Sequence, residues 1–321
     1  ELLIRDVVLK RPPAKPPANA APLDLSFLKL DVGPPIDIRF EKLKIENITL
    51  EPAVYGSAGR FDIEGRLIAP RDRSSIDMDL RFVRKAGTAP DGRMIARLNE
   101  ETRRLTVDVD LQDPKSGLVS SLVGLPPDEA IRLTLKGDAP ITDWTGALNL
   151  KAGDSAGLHL DIGVKTGPAA GDPDKTVTRA TITGRGGSSL IARQLSGLGE
   201  EVDVRLVAAY GDRIEIDALS VKGRKASIEG KGWLEPTTNK FSLDLDARMD
   251  DFAAIEPLVG FPLRGKGSLR LVLRGEASRP TVRLDLDAES LRLARLRAKA
   301  AKLALSLEPI AGSTAPGARR L

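Results

Sequence analysis

The chain has 321 residues, of which 41% are hydrophobic but only 3% aromatic, so aliphatic side chains supply most of its apolar surface. Its 49 basic and 45 acidic residues are interspersed, which argues against nucleic-acid binding because such a surface needs clustered charge and stacking aromatics. The absence of cysteine excludes disulfides and thiolate metal sites. No run approaches the ~20 apolar residues of a membrane-spanning helix.

Alternating apolar and polar residues predict β-strands along most of the chain. Residues 1–33 are predicted to be an entry strand followed by a Pro/Ala-rich link. A first β-array unit is predicted over 34–165, with a bulge between Ile45 and Ile48 and a short helix near 114–123. A second unit is predicted over 166–310, with short helices near 189–198 and 251–259 and a turn near 298–301. Residues 311–321 are expected to be a frayed tail.

The chain repeats itself. Residues 241–288 are predicted to form a strand, a short helix and two more strands, and residues 105–152 have the same pattern. Asp108 aligns with Asp244, and Leu122-Val123-Gly124 aligns with Leu258-Val259-Gly260 at the same offset. The chain is therefore an imperfect repeat array.

Residues with catalytic or metal-binding chemistry are sparse. His159 is the only histidine, and its alternating neighbours place it on the polar face of a strand. Carboxylate pairs two residues apart share a strand face and resemble metal ligands, but they recur because the alternation recurs. These pairs are Asp77 with Asp79, Asp108 with Asp110, Asp244 with Asp246, and Asp285 with Asp287. We therefore predict no enzyme activity, no catalytic or metal site and no cofactor.

Two segments resemble a known family. The sequences LQDPKSGLVSSLVGLP, followed by LTLKGDAPITDWTGALNL, and DLDARMDDFAAIEPLVGFPLRGKGSLRLVLRGEASRPTVRLDLDA are similar to the N-terminal region of the TamB family, the translocation and assembly module subunits of the AsmA-like group. The resemblance covers most of the chain from Pro34 to Leu307.

The resemblance implies a long periplasmic protein that a helix outside this segment anchors in the bacterial inner membrane. It also implies an outer-membrane barrel partner, TamA, contacted through regions outside this segment. The fold implied is a long curved sheet folded into an apolar trough, called a β-taco. Members of the group are thought to carry phospholipid between the two membranes or to assist outer-membrane protein assembly.

We therefore predict an all-β fold with a few short helices, in which an elongated, curved antiparallel sheet forms an apolar trough. Phospholipid acyl chains would lie against its aliphatic lining, since such chains need no polar partner. The predicted lining residues are Val107, Val109, Leu133, Leu135, Leu158, Leu160, Ile162, Val204, Leu206, Leu243, Leu245, Leu271, Leu273, Val282, Leu284 and Leu286.

Alternation alone does not distinguish an open groove from a closed core. The alternative is a closed β-sandwich or solenoid that acts as a spacer between inner-membrane and outer-membrane partners and binds no ligand.

Overall fold

The described part of the chain is all-β, as predicted: eighteen strands form one long, curved, open sheet. The computed structural model describes residues 1–10, 37–52, 58–72, 74–99, 101–118, 120, 128–153, 156–169, 172–187, 200–255, 263–276, 279–293 and 296–308.

The strands are numbered in chain order. They are β1 (Leu2–Arg5), β2 (Val8–Leu9), β3 (Ile38–Leu50), β4 (Gly59–Ala69), β5 (Ile76–Gly87), β6 (Asp91–Leu98), β7 (Arg104–Asp113), β8 (Ile131–Pro140), β9 (Asp143–Ala152), β10 (Ala156–Ala169), β11 (Asp172–Gly187), β12 (Glu201–Tyr210), β13 (Ile214–Gly223), β14 (Ala226–Glu235), β15 (Lys240–Met249), β16 (Leu263–Glu276), β17 (Arg279–Leu293) and β18 (Leu296–Leu307).

The sheet follows the order of the sequence. Each strand from β3 to β18 pairs antiparallel with the next one along the chain. The short strands β1 and β2 both pair with β3, and they run parallel to it. The two edges of the described sheet are therefore β1 with β2 on one side and β18 on the other.

The strand termini form two different ends of the sheet. At one end, which we call the hairpin end, short turns join even-numbered strands to the odd-numbered strands that follow, from β4 to β17. At the other, the connector end, longer links alternate with short ones. The longer links are residues 51–58, 114–130, 188–200 and 250–262, and they precede strands β4, β8, β12 and β16. The sheet is therefore built from units of four strands.

The sequence repeat has a simple explanation in this architecture. Residues 105–152 begin in β7 and residues 241–288 begin in β15, and both segments contain a long link at the connector end. The predicted boundary at 165/166 lies inside β10, across which the sheet is continuous.

The predicted helices lie in the long links. Within the predicted 251–259 helix, Phe252–Ile255 form a 3₁₀ helix, Asp251 precedes it, and residues 256–259 lie outside the described ones. Of the predicted 114–123 helix, Leu118 and Ser120 are helical and residues 114–117 are not, while residues 119 and 121–123 are outside the described part. The predicted 189–198 helix lies wholly outside it.

Two local predictions can be compared with the strands directly. The pairing of β3 with β4 shifts between Ile45 and Ile48, which confirms the predicted bulge. The turn predicted near 298–301 is wrong, because these residues belong to β18, which already begins at Leu296. Strand β17 continues to Leu293 through Ser290, which has a φ of 54°.

Candidate functional site

Two neighbouring rows of residues on one face of the sheet are apolar without interruption. The central row of this face follows directly paired residues across every strand except β2, and each member is either an apolar residue or glycine. The row is Leu2, Leu43, Gly65, Leu80, Met94, Val109, Leu135, Leu148, Leu160, Gly184, Val204, Val221, Ile228, Ala247, Leu269, Leu286 and Leu303.

A second row runs parallel to the central row, two residues closer to the hairpin end. It has the same composition and crosses every strand from β3 to β18. Its members are Phe40, Leu67, Met78, Ala96, Val107, Gly137, Gly146, Ile162, Ile182, Leu206, Leu219, Gly230, Leu245, Leu271, Leu284 and Leu305. We call the surface that these rows share the apolar face.

Burial on the apolar face decreases from the connector end towards the hairpin end. In β15, Met249 and Ala247 are 4% and 6% exposed, whereas Leu245 and Leu243 are half-buried. In β9, Ala152 and Leu150 are buried in the same way at the connector end. In these two strands the apolar face is a closed core near the connectors and a partly open surface beyond them, whereas Leu98 in β6 and Ala139 in β8 are buried at the hairpin end.

The long links close the connector end. Phe252, which is fully buried, packs in a cluster with residues from β12 to β17, including Val202, Met249 and Ala288. Leu118 packs on a second cluster formed by β3, β4 and β5, which includes Phe61. Apolar side chains from the links thus fill the space between strands that are not neighbours.

A buried hydrogen bond fixes the link that carries Leu118. Asp113, the last residue of β7, accepts hydrogen bonds on its Oδ2 from the Ser120 backbone N–H at 2.8 Å and from the Ser120 hydroxyl at 2.6 Å. Both residues are almost fully buried. Backbone N–H groups in the first turn of a helix have no partner within the helix. The Asp113 carboxylate provides such a partner for the N–H of Ser120.

Trp144 does not follow the decrease in burial from the connector end to the hairpin end of β9. It lies near the hairpin end of β9 on the apolar face and is only 8% exposed. Its ring covers two glycines of the second row, since a Cβ on Gly137 or Gly146 would lie 2.3 Å or 2.5 Å from ring atoms. The indole Nε1 donates a hydrogen bond to the Leu105 carbonyl at 3.0 Å. A large aromatic residue therefore occupies the space that these glycines leave.

All of the predicted lining residues lie on the apolar face. Val109 and Leu158 are buried, and the others are half-buried. The structure adds residues that the sequence analysis did not name, among them Met94, Leu148 and Leu269 in the central row. Polar neighbours on both sides were a usable signal for Leu269, whereas Met94 and Leu148 each have one apolar neighbour, Ile95 and Ala147.

The opposite face, which we call the polar face, carries cross-strand ion pairs. Arg93 donates from Nε to Asp79 at 2.8 Å, and Arg132 donates from its terminal nitrogen to Asp110 at 2.7 Å. These hydrogen bonds from arginine hold the pKa of Asp79 and of Asp110 below the usual range, against the opposing effect of desolvation. Each of the carboxylate pairs noted in the sequence has at least one basic partner of this kind.

His159 lies on the polar face of β10 and is exposed, as predicted. Its Nδ1 is 2.7 Å from Oδ1 of Asn149, and its Nε2 is 3.4 Å from a carboxylate oxygen of Asp161. Among the described residues, no group of three or more histidine, cysteine or acidic residues is arranged to hold a metal ion.

A hollow of about 700 Å³ lies on the polar face between β14 and β18. Asp246, Arg270 and Lys302 are among the residues that line it, and each of them belongs to an ion pair. Because most of its charges are already paired, this hollow is a weaker candidate for a ligand site than the apolar face.

Comparison with known proteins found no matching family model, no matching curated protein and no matching solved structure. Within the described residues, no helix is both long enough and apolar enough to cross a membrane.

Proposed function

We propose that this chain is a periplasmic segment of an envelope protein anchored in the bacterial inner membrane, and that its apolar face carries phospholipid acyl chains between the inner and outer membranes. The central row is the observation that supports this proposal most strongly. It crosses the described sheet from β1 to β18 without a polar side chain, and most of its members remain half-buried.

The chemistry of the row suits an acyl chain. Such a chain has no group that needs a hydrogen-bond partner, and it gains ~0.8 kcal/mol for each buried CH₂. Similar aliphatic residues recur on successive strands about 4.8 Å apart, so one position differs little in affinity from the next. A chain can therefore move along the row without crossing a large barrier.

The two ends of the strands have different roles in this mechanism. The connector end is closed by Phe252 and Leu118, and Trp144 covers the second row at β8 and β9, so the acyl chain lies along the central row. The phospholipid headgroup stays in water beyond the lining, where it keeps its hydration. The protein acts as a passive surface, and no bond is made or broken.

The resemblance to the TamB family supports the same proposal, because that family is associated with phospholipid transport and with outer-membrane protein assembly. The partner TamA would be reached through regions outside this segment. Assistance to outer-membrane proteins is compatible with the same lining, since a membrane-facing β-strand also presents alternate apolar side chains.

The proposal is tested by comparing two neighbouring substitutions in β8. Leu135→Arg places a charge in the central row, whereas Thr134→Arg places one on the polar face opposite Asp110. Phospholipid that copurifies with the protein from bacteria is measured by native extraction and mass spectrometry. We expect the wild type and Thr134→Arg to retain phospholipid, and Leu135→Arg to lose most of it while it remains folded by circular dichroism.

The closed spacer is the second candidate, and the buried clusters at the connector end favour it. A spacer predicts a lipid-free wild-type protein, and it predicts that Leu135→Arg unfolds because an unpaired charge enters a core. Either result would remove the transport proposal. Lipid that remains bound to a folded Leu135→Arg protein would also contradict it.

A further inference from the structure

Trp144 narrows the apolar face at β8 and β9. It lies two residues closer to the hairpin end than Gly146, and its ring extends back over the second row, where it leaves no room for a Cβ at Gly137 or Gly146. The indole also crosses β8, because its Nε1 donates to the Leu105 carbonyl of β7. The ring therefore closes the second row on two neighbouring strands.

The surface on the hairpin side of the ring is closed as well. Leu98 in β6, Leu105 in β7 and Ala139 in β8 are directly paired in a third row, two residues closer to the hairpin end than the second row. Leu98 and Ala139 are buried, and Trp144, in the corresponding position of β9, is buried too. An acyl chain therefore finds little accessible surface beside the ring.

A buried cluster closes the same two strands from the connector side. Ile131 in β8 and Leu150 and Ala152 in β9 belong to this cluster. Between the cluster and the indole, Leu135 and Leu148 are directly paired in the central row, and both are half-buried. Among the described residues of β8 and β9, the central row is therefore the open part of the apolar face.

The apolar face is wider on β15, β16 and β17, where the second and third rows are both half-buried. The residues that form them are Leu245, Leu271 and Leu284 in the second row and Leu243, Leu273 and Val282 in the third. Successive rows on a strand face are ~6.7 Å apart, and carbon atoms in contact are ~4 Å apart, so each row accommodates one extended hydrocarbon chain. Two chains therefore fit side by side on these strands, whereas one fits on β8 and β9.

We propose that Trp144 is a specificity-determining residue that admits a single acyl chain at β8 and β9. We call the passage between its indole and the buried cluster the neck, which is lined by Leu135 and Leu148. A diacyl phospholipid crosses the neck with its two chains one behind the other, whereas a single-chain lipid such as a lysophospholipid meets no restriction. The inference rests on the proposed function, to which it adds the number of chains that the apolar face accepts.

The first test maps where an acyl chain contacts the wild-type protein. The probe is phosphatidylcholine with a diazirine in one acyl chain, which is bound to the whole chain, irradiated and located by peptide mass spectrometry. At β8 and β9 we expect adducts on Leu135, Leu148 and Trp144, and almost none on Gly137 or Gly146. Adducts that are as frequent on these glycines as on the two leucines would overturn the proposal, because the second row would then be open.

The second test opens the neck with Trp144→Ala. The ratio of adducts on Gly137 and Gly146 to adducts on Leu135 and Leu148 should rise at least about fourfold, which is the gain in affinity for one further buried CH₂. Trp144→Leu keeps an aliphatic residue in the third row but is too short to cover Gly137, so it should shift the adducts in the same direction if Trp144→Ala fails to fold.

Trp233→Leu is the matched control. Trp233 is the other tryptophan of the chain, and it lies on the polar face of β14. This substitution should leave the ratio of adducts at β8 and β9 as it is in the wild type. An equal rise in Trp233→Leu and Trp144→Ala would overturn the proposal, because loss of either tryptophan would then have the same effect.

The third test counts the chains in the neck with phosphatidylcholine that carries a diazirine on both acyl chains. One such lipid can attach to the protein at two positions. In the wild type, we expect these double adducts to link neighbouring rows on β15 to β17 but not on β8 and β9. In Trp144→Ala they should also appear on β8 and β9. Double adducts between rows at the wild-type neck would contradict the limit of one chain.

The outcomes separate the neck from lipid carriage itself. If no adduct forms on the apolar face of the wild type, the proposed function fails and the neck fails with it. If adducts form along the apolar face but their pattern is the same in a folded Trp144→Ala protein, the neck alone is refuted. Circular dichroism spectra that match the wild type identify the folded variants.

Discussion

Asp62 shows how a single buried charge is accommodated on the polar face. It is 6% exposed in β4. One carboxylate oxygen accepts a hydrogen bond from the Asn47 backbone N–H at 2.9 Å, and the other lies 3.1 Å from Nζ of Lys85. The Asn47 hydrogen bond, with support from Lys85, lowers the pKa of Asp62 in spite of its desolvation. Asp62 thereby holds the β3 bulge, where Asn47 has a φ of 57°.

This lowered pKa predicts acid sensitivity. The unfolded-state pKa of an aspartate is about 3.9, so the stability that Asp62 contributes is present above that pH and is lost as the pH falls through its lower folded-state value. Asp62→Asn should reduce the free energy of unfolding by about 1–3 kcal/mol at neutral pH and should flatten the decline below pH 4. Urea denaturation between pH 2 and pH 7 measures both effects.

The matched control for Asp62 is Asp161→Asn, which changes an exposed carboxylate on the polar face of β10. It should leave the stability and the shape of the pH profile close to those of the wild type. Parallel pH profiles for the wild type and Asp62→Asn would show that another group is responsible for the acid sensitivity.

At the scale of the structural elements, the 3₁₀ helix Phe252–Ile255 connects strands that do not pair with each other. Its first residue contacts a cluster that extends from β12 to β17, so one short link ties together strands that do not pair. Strand pairing supplies the order of the sheet, whereas the links supply contacts that close its connector end.

Phe252→Ala should therefore lower the stability substantially. Removing a fully buried phenylalanine typically costs 3–5 kcal/mol, because the transfer free energy is lost and a cavity is left. Phe241→Ala in β15 is the matched control; Phe241 is half-buried near the hairpin end and should cost less than about 2 kcal/mol. Chemical denaturation of both variants measures the difference, and equal losses would mean that the connector end is no more closed than the hairpin end.

Alternation was sufficient to predict most of the strands and their apolar faces, because a sheet with one polar face requires a period of two. It failed near 298–301, where Ala, Lys and Arg weaken the contrast between the faces and where β17 passes through Ser290 at positive φ. The parallel pairing of β1 and β2 with β3 was also beyond prediction, since the pattern within a strand does not identify its partner. The same limit applied to the burial gradient, which depends on where Phe252 and Leu118 pack.

On the scale of the whole molecule, strand pairing is continuous along the sheet, but the buried apolar clusters are separate from one another. The Phe252 cluster involves β12 and later strands, and a separate cluster occupies β8, β9 and β10. No cluster of the described residues joins the two across the link 188–200. The chain should therefore be separable at this link.

A fragment of residues 201–308 should fold alone, because it retains the whole Phe252 cluster. We expect a β-sheet circular dichroism spectrum and a cooperative urea transition. A fragment of residues 201–255 is the control: it keeps Phe252 but lacks Ala288 and Leu269, so it should lose cooperative unfolding. An unfolded 201–308 fragment, or a cooperative 201–255 fragment, would show that the clusters do not define the stable units.

The consecutive pairing of β3 to β18 also determines how the chain can acquire its fold. Beyond β3, each described strand pairs with the one before it in the sequence, so each pairing closes only a short turn or one of the longer links, and the entropic cost of each addition is small. A growing sheet always presents its newest strand as the template for the next one. The structure can therefore be completed in the order in which the chain emerges, with one unpaired edge advancing along it.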